Sequence, residues 1–252
     1  MAKTKNNVEV EEKTAEETEG AVEVEEKKEE GKEVKEEIKE KLAGWKPKTG
    51  LGRAVKERKI KSLEEIYGKG LKILEPEIVD FLTDTETDLL AIGQAKGKFG
   101  GGKRRIWRQT QRKTAEGNIP SFSCLAVVGN KDGYVGLGYG KGKETLPARE
   151  KAIQRAKLNI IKVNRGCGSF DCACNEGHSI PFKIEGKVGS SHITLSPAPK
   201  GTGLVIDDEC KRIMRLAGIK DIYSRTKGQT RTKMNLAYAC IDALEKTNKL
   251  VK

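Results

Sequence analysis

Large apolar groups are scarce in this chain of 252 residues: aromatics make up 5% and all hydrophobic types together 36%. No apolar run approaches the ~18 residues that cross a bilayer. No basic helix with large exposed apolar residues suggests a membrane-surface anchor either. The N-terminus has no apolar signal core, so a cytoplasmic protein is expected. In that reducing compartment the six Cys are free thiols or metal ligands rather than disulfides. The length suits about two ordinary domains with modest cores.

What the chain has in excess is charge. The formal net charge is +12. Residues 1–40 run against it, with 15 Glu, no Asp, 8 Lys and no aromatic, a net of −7. The difference between those two figures leaves +19 on residues 41–252. A body that basic repels itself unless a polyanion neutralises it, and nucleic acid is the usual one. Residues 1–42 are expected to be an acidic disordered tail, because they hold too little apolar surface to offset the entropy of ordering.

From Trp45 to Arg53 the chain is basic and interrupted by Pro47, Gly50 and Gly52, which reads as an extended arm along phosphates. Two short helices are expected in 61–83, one capped by Ser62 and one opened by Pro76. Ser121 to Gly129 alternates as a strand, Asn130–Lys–Asp–Gly133 is a turn, and Tyr134 to Tyr139 returns. A helix opens near Thr145, with Pro147 in its first turn. Residues 164–179 are irregular and rich in Gly and Cys. Strands then cover Ile180–Lys187 and His192–Leu195. A helix capped by Asp207 or Asp208 reaches Leu216 and stops at Gly218. Asp221–Arg225 is a strand, and a last helix spans about Thr232–Thr247. The expected class is α+β, in two small domains meeting near 164–179.

Four constellations carry chemistry. Residues 89–115 hold Lys96, Lys98, Lys103, Arg104, Arg105, Arg108, Arg112 and Lys113 and no acid. Each cation that neutralises a phosphate releases a condensed counterion, so such a run binds RNA tightly and salt-sensitively. Phe99 and Trp107 offer stacking surfaces for unpaired bases. An ordinary solvated face would mix in carboxylates.

Gly136–Leu–Gly–Tyr–Gly–Lys–Gly–Lys143 runs into a helix. Its alternating glycines allow another backbone or a ligand close in. Lys141 and Lys143 add charge where helix N–H groups attract phosphate. A nucleotide loop is disfavoured, since Lys141 is followed by Gly142 rather than Ser or Thr.

Cys167, Cys172, Cys174 and His178 place four ligands within twelve residues of irregular chain. That suits a closed, structural zinc site, although the spacing is not paired Cys-x2-Cys, and unliganded thiols are the alternative. Cys124, Cys210 and Cys240 lie on apolar stripes and read as core. His192 reads as a surface or RNA-facing residue.

Pro197–Ala–Pro–Lys–Gly–Thr–Gly203 resembles in outline the phosphate loop of the galactokinase-like kinases. The two hydroxyls that loop needs are replaced by Leu204 and Val205. That argues for a rigid turn, with Lys200 available to phosphate.

Several runs together resemble the small-subunit ribosomal protein S-five family. They are Gln109–Thr–Gln–Arg–Lys–Thr114, Ala126–Val–Val–Gly–Asn–Lys–Asp–Gly–Tyr–Val–Gly136, Ala156–Lys–Leu–Asn–Ile160, Arg165–Gly–Cys–Gly–Ser169, Pro197 to Gly203 and Ala217–Gly–Ile–Lys–Asp221. Trp45–Lys–Pro–Lys–Thr and Leu51–Gly–Arg–Ala–Val–Lys resemble its archaeal and eukaryotic branch, and the Cys/His cluster its archaeal members.

The resemblance covers roughly residues 43–247. It implies a double-stranded-RNA-binding-like domain (α-β-β-β-α) followed by the α+β second domain of the family. Divided so, the chain is a tail (1–42), a basic arm with short helices (43–84), an RNA-binding domain (85–165), a Cys/His linker (166–179) and a C-terminal domain (180–252). It further implies a seat on 16S-type rRNA near the channel through which mRNA enters, beside ribosomal proteins S-three, S-four and S-eight. Roles in assembly and decoding accuracy follow, with no catalysis and no small-molecule substrate. The acidic tail and Val188, where relatives often carry Cys, depart from the family pattern.

Overall fold

The structure is a computed structural model and describes residues 44–95, 97, 104–174 and 176–249. The chain divides into two units, Met1–Lys48 and Thr49–Lys252. In the first, the described residues 44–48 contain neither helix nor strand. The acidic tail lies outside the described residues.

The second unit opens with three short helices: α1 (Gly50–Lys56), α2 (Leu63–Gly68) and α3 (Glu77–Leu82). The extended arm expected through Arg53 is therefore helical from Gly50. Thr49 caps α1, its Oγ1 accepting the Gly52 N–H at 3.0 Å, a cap worth about 1 kcal/mol. The Glu75 carboxylate accepts the Thr49 N–H at 2.6 Å and fixes the cap in place. Ser62 stands at the N-cap of α2 but makes no side-chain cap bond; its hydroxyl is turned to the Glu65 carboxylate, 3.3 Å away.

The first sheet has five strands: β1 (Glu86–Leu90), β2 (Arg108–Thr114), β3 (Gly117–Gly129), β4 (Tyr134–Gly142) and β5 (Ile160–Lys162). The long β3 organises it. One edge pairs with β1 over Leu125–Gly129 and with β2 over Gly117–Ser123. The other edge pairs with β4, and β5 extends the sheet beyond β4. The β3–β4 turn is the expected one. Asn130 Oδ1 accepts the N–H groups of Asp132 and Tyr134, and Lys131 and Gly133 take positive φ.

Helix α4 (Thr145–Leu158) lies on one face of this sheet. The glycines of β4 explain how closely. A Cβ on Gly138 would sit 2.2 Å from Ala152 O and Ala156 N, and one on Gly136 or Gly140 would fare no better. Glycine on the strand faces Ala148, Ala152 and Ala156 on the helix, all fully buried. The backbone that the bare strand face admits is thus the protein's own.

The second sheet orders β6 (Ile184–Val188), β7 (Ser191–Pro197), β9 (Ile222–Gly228) and β8 (Leu204–Val205). Only the β8–β9 pair is parallel. The strand expected from Ile180 starts at Ile184 instead, since Pro181 withholds an N–H from any ladder. Helices α5 (Asp208–Ala217) and α6 (Lys233–Lys249) complete the fold. Asp207 occupies the N-cap of α5 without capping it, because its carboxylate pairs with Lys233. Gly218 closes α5 in the left-handed region at φ 79, donating to Met214 and Arg215 carbonyls.

Helix α5 packs on β1, β3 and β4, while α6 packs on β6 and β7. One apolar core results. It runs from Leu90, Leu125, Val127 and Leu137 of the first sheet through Ile213 and Met214 to Ile193, Leu195 and Leu244.

Candidate RNA interface and metal centre

The end of the acid-free basic segment, Arg108–Thr114, pairs with Gly117–Ser123 as an exposed two-stranded ribbon. Strand β2 is Arg–Gln–Thr–Gln–Arg–Lys–Thr, exposed from Arg108 through Lys113, and its partner stretch Gly117–Pro120 is exposed too. Ladder pairing with β3 holds a strand that has no apolar face of its own. Arg108 and Arg112 share one face, and Lys113 lies on the other, as the period of two requires. None of the three enters an ion pair among the described residues.

The base of the ribbon is closed by backbone bonds. Gly93 donates to Arg105 O at 2.8 Å, Arg105 donates to Gln94 O at 3.3 Å, and Ala95 bridges Arg104. Arg105 is exposed and Arg104 half-exposed. Lys96, Lys98, Phe99 and Lys103 lie outside the described residues.

Trp107 is half-buried and packs on the cluster of Cys124, Ala126, Ala148 and Ala152. One part of the indole therefore anchors the ribbon to the core. Cys124 beneath it is a core thiol, pushed up to about 11 by burial, and it donates to Ala148 O. Cys210 and Cys240 are equally buried, as expected.

Arg53 is exposed on α1, Lys141 is exposed at the end of β4, and Lys143 is exposed between β4 and α4. Lys200 is exposed as well, but its ammonium lies 2.9 Å from the Glu176 carboxylate.

The Cys/His cluster is assembled by a neck. Gly166 and Ser179 exchange backbone bonds of 3.0 and 2.9 Å, closing the loop between them. The ligand atoms of Cys167, Cys172, Cys174 and His178 then all lie within 4.8 Å of one another. Cys172 Sγ is 3.1 Å from Cys174 Sγ and 3.7 Å from His178 Nε2. A tetrahedral site with metal–sulfur bonds of about 2.3 Å needs donor separations of about 3.8 Å, so these four fit one ion with small adjustments.

The thiols are unequal. The bond from the Cys174 side chain, followed by the backbone N–H of Lys200, pulls Cys172 down to about 6. Sharing with Cys172 pushes Cys174 up to about 11. The first thiolate ligand is thus available near neutral pH.

Asp221 belongs to this centre, although nothing adjacent in sequence marks it. Its Oδ2 lies 2.8 Å from His178 Nδ1, with the two side chains only 6% and 3% exposed. The contact is short but not aligned as a regular hydrogen bond. It turns Nε2 toward the thiols, the carboxylate–imidazole–metal arrangement common at such sites. The other oxygen, Oδ1, accepts the N–H groups of Gly201 (3.1 Å) and Gly203 (2.8 Å). The N–H groups that would cradle a phosphate in a kinase loop are occupied by the protein's own carboxylate.

Two family profiles match the chain: "Ribosomal protein S5, N-terminal domain" over residues 106–164 and "Ribosomal protein S5, C-terminal domain" over residues 186–251. Three proteins called "Small ribosomal subunit protein uS5" are among its relatives. That of Nanoarchaeum equitans is 54% identical over 203 residues, covering 80% of this chain and 87% of the relative. That of Hyperthermus butylicus is 48% identical over 207 residues, covering 82% and 91%. That of Thermofilum pendens is 48% identical over 204 residues, covering 81% and 94%.

Proposed function

This chain belongs to the archaeal branch of the ribosomal protein S-five family, and from that membership we propose that it works by binding RNA within the small ribosomal subunit. It is a structural constituent there and not an enzyme. Its ligand is 16S-type rRNA near the channel through which mRNA enters, with ribosomal proteins S-three, S-four and S-eight as neighbours. Its contribution is to subunit assembly and decoding accuracy in the cytoplasm.

The observation that carries the RNA reading is the β2–β3 ribbon. A strand pair bare on both faces, carrying unpaired cations and no acid in its β2 strand, is poorly suited to stand alone in water. It becomes a stable element once phosphates neutralise it. Arg53, Lys141, Lys143 and Lys200 would supply further phosphate contacts elsewhere on the surface. Trp107 is half-buried against the core and leaves part of its ring for a base.

The Cys/His centre is read as a structural zinc site, closed by four protein donors. Bound metal would supply the cross-link that loop 167–178, poor in apolar groups, cannot make from its own packing. Cys167, Cys172, Cys174 and His178 Nε2 would hold it.

The test is filter binding of the full chain to small-subunit rRNA across a salt series. Replacing Arg108, Arg112 and Lys113 with Gln is expected to flatten the plot of log affinity against log salt by about 2–3 units, at ~0.7–0.9 per phosphate contact. An unchanged slope overturns the ribbon as the interface. For zinc, elemental analysis after metal-replete expression should return close to one equivalent, and less than half favours free thiols.

A further inference from the structure

The second sheet has one covered face and one open one. Ile184, Ile193, Leu195 and Ile222 point inward and are buried, with α6 packed on that side. The intervening residues point outward, and among the described residues no helix covers them. The ladder register aligns them in rows across three strands. Lys187 faces His192, which faces Lys227; Glu185 faces Thr194, which faces Arg225. Tyr223 continues the outward face of β9 and is 43% exposed.

We propose that this open face is a second RNA-binding surface, taking single-stranded RNA, carried by Lys187, His192, Arg225 and Lys227 with Tyr223 as a stacking platform. It is distinct from the β2–β3 ribbon: α5 and the shared core stand between the two sheets. The inference goes beyond the ribbon reading and does not depend on it.

Three observations carry it. First, Lys187, Arg225 and Lys227 enter no ion pair among the described residues. The one acid on the face, Glu185, is bonded to Thr194 Oγ1 at 3.3 Å. Asp242, which accepts the Lys187 backbone N–H, belongs to α6 and is paired with Lys246.

Second, residues 222–241 contain Arg225, Lys227, Arg231 and Lys233 and no Asp or Glu. This is the same signature that marks the ribbon, in a stretch that also forms the loop entering α6.

Third, the geometry suits a strand of nucleic acid. Neighbouring β-strands stand about 4.8 Å apart and same-face residues about 6.8 Å apart along a strand. The cations therefore form a flat lattice on which successive phosphates can settle, and an exposed ring on the same strand can take a base. A flat face offers little to the interior of a duplex groove. It also lacks the band of large apolar groups that a membrane or a helical partner would need.

The experiment uses the full chain and a fluorescent oligouridylate of about twelve nucleotides, within the site size of a small sheet surface. Arg108, Arg112 and Lys113 are first replaced with Gln to silence the ribbon. Salt-sensitive binding is expected to persist. Adding Lys187→Gln, Arg225→Gln and Lys227→Gln should weaken it at least tenfold and flatten the salt slope by about 2 units.

Lys187→Arg with Lys227→Arg should retain affinity, and Tyr223→Ser should lower affinity without changing the slope. The wild-type chain should bind two oligomers, and either set of Gln variants one. All substituted side chains are exposed, so an unchanged thermal midpoint establishes that each variant is folded.

Three results overturn the proposal. The sheet variants leave affinity and slope unchanged; or silencing the ribbon alone abolishes all binding, which leaves the ribbon reading intact; or polyglutamate of equal charge displaces the RNA as effectively as unlabelled RNA does. Loss of binding in the sheet variants alone, with the ribbon variants unaffected, would instead sink the ribbon reading.

Discussion

Asp221 Oδ2 stands 2.8 Å from His178 Nδ1, while the opposite oxygen of the same carboxylate holds the backbone of Gly201 and Gly203. One buried side chain therefore couples the Cys/His centre to the Pro197–Gly203 turn. Replacing Asp221 with Asn removes the charge that orients His178 and should lower zinc affinity about 10–100-fold, the usual effect of losing such a partner. Competition with a chromophoric chelator measures the affinity. Hydrogen exchange at Gly201 and Gly203 measures the turn and should accelerate in Asp221→Ala even without metal. Unchanged exchange would mean that the turn stands without the carboxylate.

The two perturbed thiols predict a pH profile for the metal-free protein. Cys172 is depressed from the ordinary 9.0 to about 6. Its contribution is full above the unfolded value and lost as pH falls through about 6. Cys174 is raised to about 11, so its contribution is full below 9.0 and lost as pH rises through 11. Cluster-dependent stability should therefore peak near pH 9 in the presence of chelator. Thermal midpoints of the wild type minus those of Cys172→Ser/Cys174→Ser, taken from pH 5 to 11, give the curve. A flat difference would refute the thiol pairing.

Gly138 is expected to tolerate a side chain as poorly as Gly136 and Gly140 beside it. Its missing Cβ would lie 2.2 Å from the backbone of α4 at two atoms, and neither partner is a flexible side-chain end. Gly138→Ala should cost about 3 kcal/mol, the upper part of the range for overpacking a filled core. Urea unfolding would show this as a lower midpoint at constant m. By contrast, Gly50→Ala meets nothing within 4 Å and should be neutral or slightly stabilising.

Under the proposed reading, Glu176 would compete with RNA for Lys200, which it holds in an ion pair. The pair is exposed on both sides, so solvent screening leaves it little worth of its own. Glu176→Gln should leave stability unchanged and raise affinity for small-subunit rRNA severalfold at low salt, because the competing carboxylate charge is gone. If affinity is insensitive to Glu176, Lys200 lies off the RNA path.

Much of this was legible in residue order, because local physics dominates there. The Asn130–Gly133 turn, the helix after Lys143, the Gly218 stop and the cluster of three Cys and one His all declare themselves within a few positions. What escaped was set by distant partners. The helix at Gly50–Lys56 follows from one Thr49 cap braced by Glu75, which outweighs two helix-disfavouring glycines. Strand β2 has no apolar alternation, so only its ladder with β3 makes it a strand. Pro181 delays β6. Asp221 looks like an ordinary loop acid until the neck at Gly166 and Ser179 brings His178 against it. The bare alternation of β4 was visible in the sequence, yet whether it faced a ligand or a helix depended on how α4 folds back.

The unbroken apolar core has a mechanical consequence. Leu125 and Val127 share it with Ile193 and Leu195, and a close-packed interior resists shear. Bending between the two sheets would open that interior to water. The unit Thr49–Lys252 is therefore a stiff gauge block: under the proposed reading, RNA segments resting on separate parts of it would be kept at one spacing, and a rearrangement of the subunit would have to carry that whole unit along or let go of one side.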